Sequence, residues 1–363
     1  MKKSIGLLII ISLISCKQKI DCSYQAPLDK NDGLIVSTLE QHHFDFDAFQ
    51  TVNKDICSGL YGHLHSVLII HKNELLVEQY YNDWDENHLH FLASTTKSFS
   101  AIMTGIAIEQ GKIKDENEKM LDFFPDYSSQ SNDTLKDKIT IQHLLTNTAG
   151  FEWDEVSLPV NDPNNMGYKM DKVDNLFKAS IELPMEAMPG TKYAYSGPNN
   201  IIVGEIIKVS TGQNMAEYTE TSLFKPLGIK DYHWFSKNGI YDVGGGLKLK
   251  SRDIAKYGLL HLNKGKWNDK QIVSSEWMDK IFEPYIEIRY PLYSCYQWQM
   301  VKTEYGFNSW FIPGNGGQII NVVPDLDLVI VINADNRNIS KEKRKPLESL
   351  IKNLTVMHPK LKK

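Results

Sequence analysis

A serine and a lysine three residues apart begin a predicted helix in this sequence. Ser94 and Lys97 lie in the stretch "HLHFLASTTKSFSAIMTGIAIEQG", residues 88–111, and this spacing puts both side chains on one helix face. A free serine hydroxyl is a poor nucleophile and needs a neighbouring base. A lysine can be that base when burial keeps its amine uncharged. The pair predicts nucleophilic catalysis by Ser94, and a helix N-terminus there would stabilise developing negative charge.

The Ser-x-x-Lys spacing alone is not specific, because a capped helix or a surface pair produces it as well. The chain contains the spacing at three other places, Ser222–Lys225, Ser340–Lys343 and Ser349–Lys352. Only Ser94 follows a predicted strand hairpin and begins a long apolar helix, so we single out this serine.

Two further segments could complete a site around Ser94. Tyr195 lies in the loop "PGTKYAYSGPNN", residues 189–200, before a predicted apolar helix. A loop tyrosine is usually a packed ring with its hydroxyl in water, but beside a lysine ammonium its phenolate would be favoured and could relay protons. The glycine-rich stretch "SWFIPGNGGQIINVVP", residues 309–324, could bring backbone N–H groups to a bound carbonyl.

Taken in order, these segments resemble the serine β-lactamase and penicillin-binding-protein superfamily. The resemblance is carried by Ser94-Thr95-Thr96-Lys97, by Tyr195-Ser196-Gly197, and by Ile312-Pro313-Gly314 before Gly316-Gly317-Gln318. Within the superfamily it is strongest to the class C-like serine hydrolases that include esterases and 6-aminohexanoate-oligomer hydrolases. The phrases "HLLTNTAGFEWDE" (143–155), "LFKPLGI" (223–229) and "GGGLKLKSRDIAKYGLL" (244–260) extend it over roughly residues 33–335.

The resemblance implies a role for each matching residue. Ser94 would be the acylated nucleophile and Lys97 its proton acceptor. Tyr195 would shuttle protons and activate the water that releases the acyl group. The backbone N–H groups of Ser94 and Asn315 would form the oxyanion hole. The resemblance implies neither a cofactor nor a metal.

Two departures from the lactamase pattern bear on the substrate. Gly197 stands where the lactamases carry asparagine, and Ile312-Pro313-Gly314 stands where they carry Lys-Thr-Gly. Both missing groups recognise the amide and carboxylate of a β-lactam, so we expect esters or amides of small molecules or cell-wall-type peptides instead. Candidate substrate-binding residues are Gly197, Gly314, Trp310 and Trp153, with Phe311 and Tyr193 as further aromatic candidates, although aromatic residues are as often core.

Other functions remain open from the sequence. A non-turnover penicillin-binding-type sensor, a cell-wall binding protein or a true class C-like β-lactamase would share these segments. A metal hydrolase could use His63-x-His65 and His88-x-His90, but no H-E-x-x-H motif accompanies them. The chain also lacks the G-x-S-x-G run of α/β-hydrolases. The net charge of -5 argues against a nucleic-acid partner.

Periodicity predicts the elements that must position these residues. Strand hairpins are expected at 65–81, around Lys72-Asn73, and in the stretch 316–334, around Pro324-Asp325. An amphipathic helix is expected from Ser94 to about Gln110. Further helices are expected at 140–150, 199–213, 251–263 (with Ser251 as its cap) and 341–355.

Strands near both chain ends and helices between them predict an α+β fold like that of β-lactamases and transpeptidases. An antiparallel sheet flanked by helices would be built from both ends, with an inserted, mainly helical lobe. We expect the hydrolase domain to span residues 31–363, with the α/β lobe at about 31–93 and 251–363 and the helical lobe at about 94–250. A site is expected in the cleft between the lobes.

The N-terminus predicts export. In "MKKSIGLLIIISLISC" two lysines precede an apolar run too short to cross a bilayer, and its end resembles a lipoprotein lipobox. We therefore expect a signal peptide at 1–15, a lipid on Cys16 that anchors the protein to a bacterial membrane facing the periplasm or cell surface, and a tether at 16–30. A plain cleaved signal or a buried helix is the alternative. Cys22 and Cys57 could form a disulfide, or these two and Cys295 could stay free.

Overall fold

The computed structural model describes residues 22–128 and 134–361. Its strands are β1 Ile35–Val36, β2 Leu64–His71, β3 Glu74–Tyr80, β4 His90–Phe91, β5 Tyr232–Trp234, β6 Ser236–Lys237, β7 Ile240–Tyr241, β8 Leu247–Leu249, β9 Lys266–Trp267, β10 Lys270–Gln271, β11 Ile286–Arg289, β12 Leu292–Ser294, β13 Gln299–Lys302, β14 Asn308–Gly314, β15 Gln318–Val323 and β16 Leu328–Ala334.

The α-helices of the same residues are α1 Phe46–Cys57, α2 Ser98–Glu109, α3 Pro125–Ser128, α4 Ile141–Leu145, α5 Met166–Met170, α6 Leu176–Ile181, α7 Gly197–Thr211, α8 Met215–Thr219, α9 Lys225–Leu227, α10 Ser251–Leu262, α11 Ser275–Phe282 and α12 Leu347–Val356. Short 3₁₀ turns include Ala93–Lys97, Pro324–Leu326 and Lys341–Lys343.

One nine-stranded sheet is assembled from both parts of the chain, as predicted. Its order is β1-β3-β2-β16-β15-β14-β13-β12-β11, so the N-terminal hairpin β2–β3 pairs with the C-terminal strand β16. Every neighbouring pair is antiparallel except β1 and β3, which run parallel. The predicted α+β fold is therefore confirmed, with the correction that the sheet is mixed at one edge.

Both predicted hairpins are present. The turn of β2–β3 consists of Lys72 and Asn73, both with positive φ, at 50° and 67°. This left-handed pair is the conformation that lets a two-residue turn follow the twist of its strands. The second hairpin joins β15 to β16 through the 3₁₀ turn at Pro324–Leu326.

The sheet is covered on both faces, which explains why β2 is buried along its whole length. Val67 and Ile69 of β2 face a core completed by α1 and α12. Leu68 and Ile70 face the larger core, which contains α2, α10 and α11. Alternate residues of one strand thus supply two separate cores.

Helix α2 differs from its prediction because it is buried on every side. All residues from Ser98 to Ala107 are buried, so the helix is central and not amphipathic. Gly105 leaves the space that the Trp277 indole of α11 fills. The turn that carries Ser94 precedes α2 as a 3₁₀ turn, so the helix begins later than predicted.

Helices α7 and α10 confirm the predictions at 199–213 and 251–263. Ser251 is not the cap of α10, because its hydroxyl bonds to Ser66 and Asn333 of the sheet instead. The helix predicted at 140–150 is short, with only α4 at 141–145. The last helix begins at Leu347 and not at 341, since the residue before a proline is disfavoured in α conformation and Pro346 precedes it.

The N-terminal segment is fastened to the domain. Cys22 and Cys57 form a disulfide with Cα atoms 6.2 Å apart, and Cys295 is free and buried. The Tyr24 hydroxyl donates to the Leu76 carbonyl across 2.7 Å. The part of the predicted tether 16–30 that the structure describes, residues 22–30, is therefore attached to the domain. The predicted signal peptide and Cys16 lie outside the described residues, within which no helix is long and apolar enough to span a bilayer.

Candidate active site

Ser94 lies in the 3₁₀ turn between β4 and α2. Its side chain is partly accessible, whereas Ala93 before it and Thr95 to Ser100 after it are buried. Ala93 adopts a φ of 47°, which is unusual for a residue with a Cβ and is a local strain typical of functional turns. The turn therefore presents one hydroxyl of an otherwise buried segment.

Lys97 is buried, with 4% of its surface exposed, and its amine is surrounded by polar groups. The Nζ donates to the Ser94 Oγ across 3.1 Å and to the Gly244 carbonyl across 2.8 Å. It lies 3.7 Å from Oε1 of Glu155 and 4.7 Å from the ring centroid of Tyr195. The predicted serine–lysine contact is thus present.

The charge of Lys97 differs from the prediction. Burial by itself lowers the pKa of the ammonium, but Tyr195, Glu155 and Asp242 outweigh that effect, so its pKa is raised above the ordinary value. These neighbours therefore favour the ammonium form of Lys97. This direction is opposite to the uncharged amine expected from desolvation, because the sequence does not reveal which carboxylates fold against the amine.

Tyr195 belongs to the loop that leads into α7. The next residue, Ser196, caps that helix by accepting from the Asn199 N–H. On the other side, the Ala194 N–H donates to the Asn147 carbonyl across 2.8 Å. Fixed at both ends, the loop holds the Tyr195 ring beside the Lys97 ammonium.

These side chains share a cavity with about 290 Å³ of empty space, part of it open to solvent. The predicted Ser94, Lys97, Tyr195 and Tyr193 all line it. Its lining is Ser94, Lys97, Asn147, Tyr193, Tyr195, Ser294, Gln297, Trp298, Gln299, Ile312 and Pro313. The structure thus brings the three segments singled out in the sequence, around Ser94, Tyr195 and Ile312, to one place.

Sequence reasoning missed the residues that set the polarity of the site. Asn147 and Gln297 line the cavity from buried loops, both with positive φ. The Glu155 and Asp242 carboxylates face Lys97. Asn147 and Glu155 lie in the phrase "HLLTNTAGFEWDE", which contributes to the family resemblance but by itself indicates no role for either residue. No local sequence pattern points to Asp242.

The strand β14 runs past Ser94 at close range. A Cβ on Gly314 would come 2.6 Å from the Leu92 carbonyl oxygen, so glycine is required for this approach. Asn315 follows at the exposed end of the strand and is not part of the cavity lining. Gly197 donates its N–H to Oε2 of Glu155 across 3.0 Å at the first turn of α7, and it too is outside the lining.

The two candidate tryptophans have packing roles. Trp153 is buried and its Nε1 donates to Oε2 of Glu155 across 2.9 Å. Trp310 stacks on Phe282 and donates to the Phe282 carbonyl across 2.8 Å. Neither indole lines the cavity, and Phe311 packs against the core on the other sheet face. The geometry therefore does not support an acyl pocket made by these aromatic side chains.

Three of the four histidines noted in the sequence form one hydrogen-bonded group, whereas His88 pairs with Asp85. His65 Nδ1 lies 2.9 Å from His90 Nε2, and His65 Nε2 lies 3.2 Å from His63 Nδ1. The His65 ring also stacks on Trp84, with ring centroids 4.0 Å apart. Within residues 22–128 and 134–361, no group of three or more His, Cys, Asp or Glu side chains has the arrangement of a metal site.

Comparison with known proteins places this geometry in a family. A family model described as β-lactamase matches residues 63–350. A protein of Alkalihalophilus pseudofirmus named only as uncharacterised is 27% identical over 249 residues, which cover 61% of this chain and 63% of that protein. The match therefore spans less than two thirds of that relative's own length.

Solved structures share the fold. One provisionally described as a 6-aminohexanoate-dimer hydrolase from Bacillus anthracis has a TM-score of 0.70 at 22% identity and covers 84% of this chain and 80% of that one. EstCE1, a hydrolase with promiscuous acyltransferase activity, has a TM-score of 0.71 at 14% identity, with 86% and 98% covered. The family model spans most of the chain and the fold agrees with these structures, so this protein belongs to the β-lactamase family, in the superfamily of serine β-lactamases and penicillin-binding proteins.

Proposed function

We propose that this protein is a serine hydrolase that forms an acyl-enzyme on Ser94 and cleaves carboxylic esters or amides. The observation that carries the proposal is the 3.1 Å contact between the accessible Ser94 hydroxyl and the buried Lys97 amine, beside Tyr195 and at the edge of one cavity. Nucleophile and base within hydrogen-bond reach, with a third group beside the base, are the arrangement expected of an activated nucleophile.

In the first step the Ser94 oxygen bonds to the substrate carbonyl carbon, and its proton passes to the Lys97–Tyr195 pair. The pair then returns a proton to the leaving alcohol or amine as the carbonyl–heteroatom bond breaks. In the second step water bonds to the acyl carbon and gives a proton to the same pair. The pair then returns a proton to the Ser94 oxygen as the bond between the acyl carbon and Ser94 breaks, which releases the acid and restores the serine. We assign the proton-accepting role to the pair as a unit, because Lys97 contacts the Ser94 hydroxyl on one side and the Tyr195 ring on the other.

We propose the backbone N–H groups of Ser94 and Asn315 as the oxyanion hole. The close approach of Gly314 to the Leu92 carbonyl supports this, because it brings the end of β14 beside the Ser94 turn. Two such donors stabilise the tetrahedral oxyanion more than the ground-state carbonyl.

The substrate preference follows from the charges of the site. Gly197 offers no side-chain amide, and Ile312-Pro313-Gly314 offers no ammonium for a lactam carboxylate. Two carboxylates, Glu155 and Asp242, face the single Lys97 ammonium. A carboxylate-bearing lactam would therefore meet like charge without compensation, so neutral esters and amides are favoured.

Labelling with a fluorophosphonate tests the nucleophile, because only an activated hydroxyl reacts. Wild-type protein should gain the probe mass once, and Ser94→Ala should not. Ser349→Ala is the matched control, since Ser349 has the same spacing to Lys352 on a true helix. A label that persists on Ser94→Ala would end the proposal. Labelling without turnover of any activated ester or amide would favour a sensor instead.

We further propose that the protein is exported and anchored by a lipid on Cys16. Support comes from the N-terminal sequence and from the Cys22–Cys57 disulfide, because such bonds persist in oxidising compartments. Radiolabelled palmitate should enter the wild-type protein in cells but not Cys16→Ser, with Cys295→Ser as control. Equal incorporation in both variants, or none in the wild type, would contradict the anchor.

A further inference from the structure

The proposed mechanism assigns no role to the Glu155 carboxylate. Only 15% of its side chain is exposed. Its Oε1 lies 3.7 Å from the Lys97 Nζ. Its Oε2 accepts hydrogen bonds from Trp153 Nε1 at 2.9 Å and from the Gly197 N–H at 3.0 Å. Both oxygens are thus engaged, one by the active-site ammonium and the other by neutral donors.

The surrounding loop is built to hold this carboxylate. The Asn165 side chain, 1% exposed, donates to the Glu155 carbonyl across 3.0 Å and to the Leu158 carbonyl across 2.9 Å. A Cβ at position 197 would come 3.1 Å from Oε2, tighter than an ordinary contact. Gly197, the first of the two departures from the lactamase pattern, is therefore the residue that leaves room for Glu155.

Glu155 is not the only ionisable group of the described residues that acts on the Lys97 amine. Tyr195 and Asp242 act on Lys97 together with Glu155. Asp242 is half-buried and accepts from the Gly244 N–H, and its partial removal from water raises its pKa although Lys97 partly offsets this.

Glu155 itself faces two groups besides Lys97. Burial and then Tyr195 raise the pKa of Tyr193, and Glu155 adds to this rise. Burial also raises the pKa of Asp171, where Lys172 and Lys237 oppose the contribution of Glu155. Among the carboxylates of the described residues, only Glu155 lies within 4.0 Å of the Lys97 ammonium.

We propose that Glu155 is a positioning residue whose negative charge keeps one proton on the Lys97–Tyr195 pair and thereby sets the pH range in which Ser94 is acylated. The inference rests on the proposed function of that pair. A fixed negative charge favours every more protonated state of the pair. It therefore raises both the pH at which the base becomes available and the pH at which the last proton is lost.

The test is the pH profile of kcat/KM for a neutral nitrophenyl ester, measured on the full protein for the wild type, Glu155→Gln and Glu155→Asp. In Glu155→Gln both limbs of the profile should move to lower pH together, by about one to two units. Glu155→Asp keeps the charge but withdraws it from Lys97, so its limbs should move by less in the same direction. Glu152→Gln makes the same change at an exposed position three residues away and should leave the profile in place.

A loss of rate at every pH with unmoved limbs would overturn the inference, because loosening the loop would do that. Accumulation of acyl-enzyme with unmoved limbs, detected by intact mass, would overturn it as well and make Glu155 part of deacylation. If Glu155→Gln does not fold, the test is the shift of both limbs of the pH profile in Glu155→Asp. Failure of the proposed function is separate: there the wild type would show no Ser94-dependent turnover at all.

Discussion

Lys97 donates from its Nζ to the Ser94 Oγ across 3.1 Å while a second bond, to the Gly244 carbonyl at 2.8 Å, holds the amine in place. The second contact comes from a loop that is 147 residues away in the chain. This hydrogen bond therefore keeps the Lys97 amine from moving into solvent with its flexible side chain. This relationship gives the serine a fixed neighbour before any substrate arrives, which reduces the reorganisation needed during the reaction.

Lys97→Met should lower ester turnover by about 10² to 10⁴, as expected when the Lys97–Tyr195 pair that takes up the serine proton is broken. Methionine fills similar space without a charge. The measurement is kcat/KM for a nitrophenyl ester together with the rate of fluorophosphonate labelling. Lys250→Met, which removes a surface lysine paired with Asp231, is the control and should retain activity. Wild-type turnover in Lys97→Met would reassign the base.

Short-chain nitrophenyl esters should be turned over faster than nitrocefin by roughly 10²-fold in kcat/KM, because the pocket lacks both groups that bind an anionic lactam. The comparison uses one enzyme preparation, and Ser94→Ala supplies the background for each substrate. Equal rates for nitrocefin and the esters would contradict our reading of Gly197 and of the carboxylates around Lys97.

Removing the Cys22–Cys57 bridge with the double variant Cys22→Ser/Cys57→Ser should lower the free energy of unfolding by about 2–4 kcal/mol. The bridge closes a loop with a sequence separation of 35 residues, so it restricts the unfolded chain. Chemical denaturation with and without reductant measures the effect. Reductant should destabilise the wild type but not the variant; a wild type that is indifferent to reductant would contradict the prediction.

Stability should fall as the pH drops below about 6.5, because buried histidines resist protonation. Burial first, then neighbouring positive groups, lower the pKa of His71 to about 3 and those of His65 and His358 to about 4. At a pH between the unfolded histidine pKa and the lower folded pKa, the unfolded chain binds a proton that the folded chain does not bind. Each such histidine therefore contributes a stability that is present above pH 6.5 and is lost toward its folded pKa, by at most about 1.4 kcal/mol per pH unit.

Urea unfolding at a series of pH values measures this slope. His71 bonds through Nδ1 to His42 and through Nε2 to His358, so His71→Gln should flatten the acid side of the curve. His233→Gln, at an exposed position of β5, is the control and should leave the slope unchanged. An unaltered slope in His71→Gln would show that other groups carry the acid sensitivity.

Much of the fold could be predicted because it is encoded locally. The turn Lys72-Asn73, the apolar runs on either side of it, and the helices α7 and α10 each follow from periodicity and end signals within a few residues. The same rules misjudged α2. The sequence of α2 predicts a helix with one apolar face. Only the tertiary structure, in which Trp277 packs against Gly105, shows that the other faces are buried as well.

The candidate site divides in the same way. A spacing of three positions from Ser94 to Lys97 is enough to bring a hydroxyl and an amine together in one helical turn. The sequence by itself therefore determined this contact, and the resemblance added Tyr195 as a candidate. The tertiary structure alone decided the charge on that amine. Glu155, Asp242 and Gly244 reach Lys97 from distant loops. A protonation state depends on all charges nearby in space, and no spacing along the chain records which of them the fold brings close.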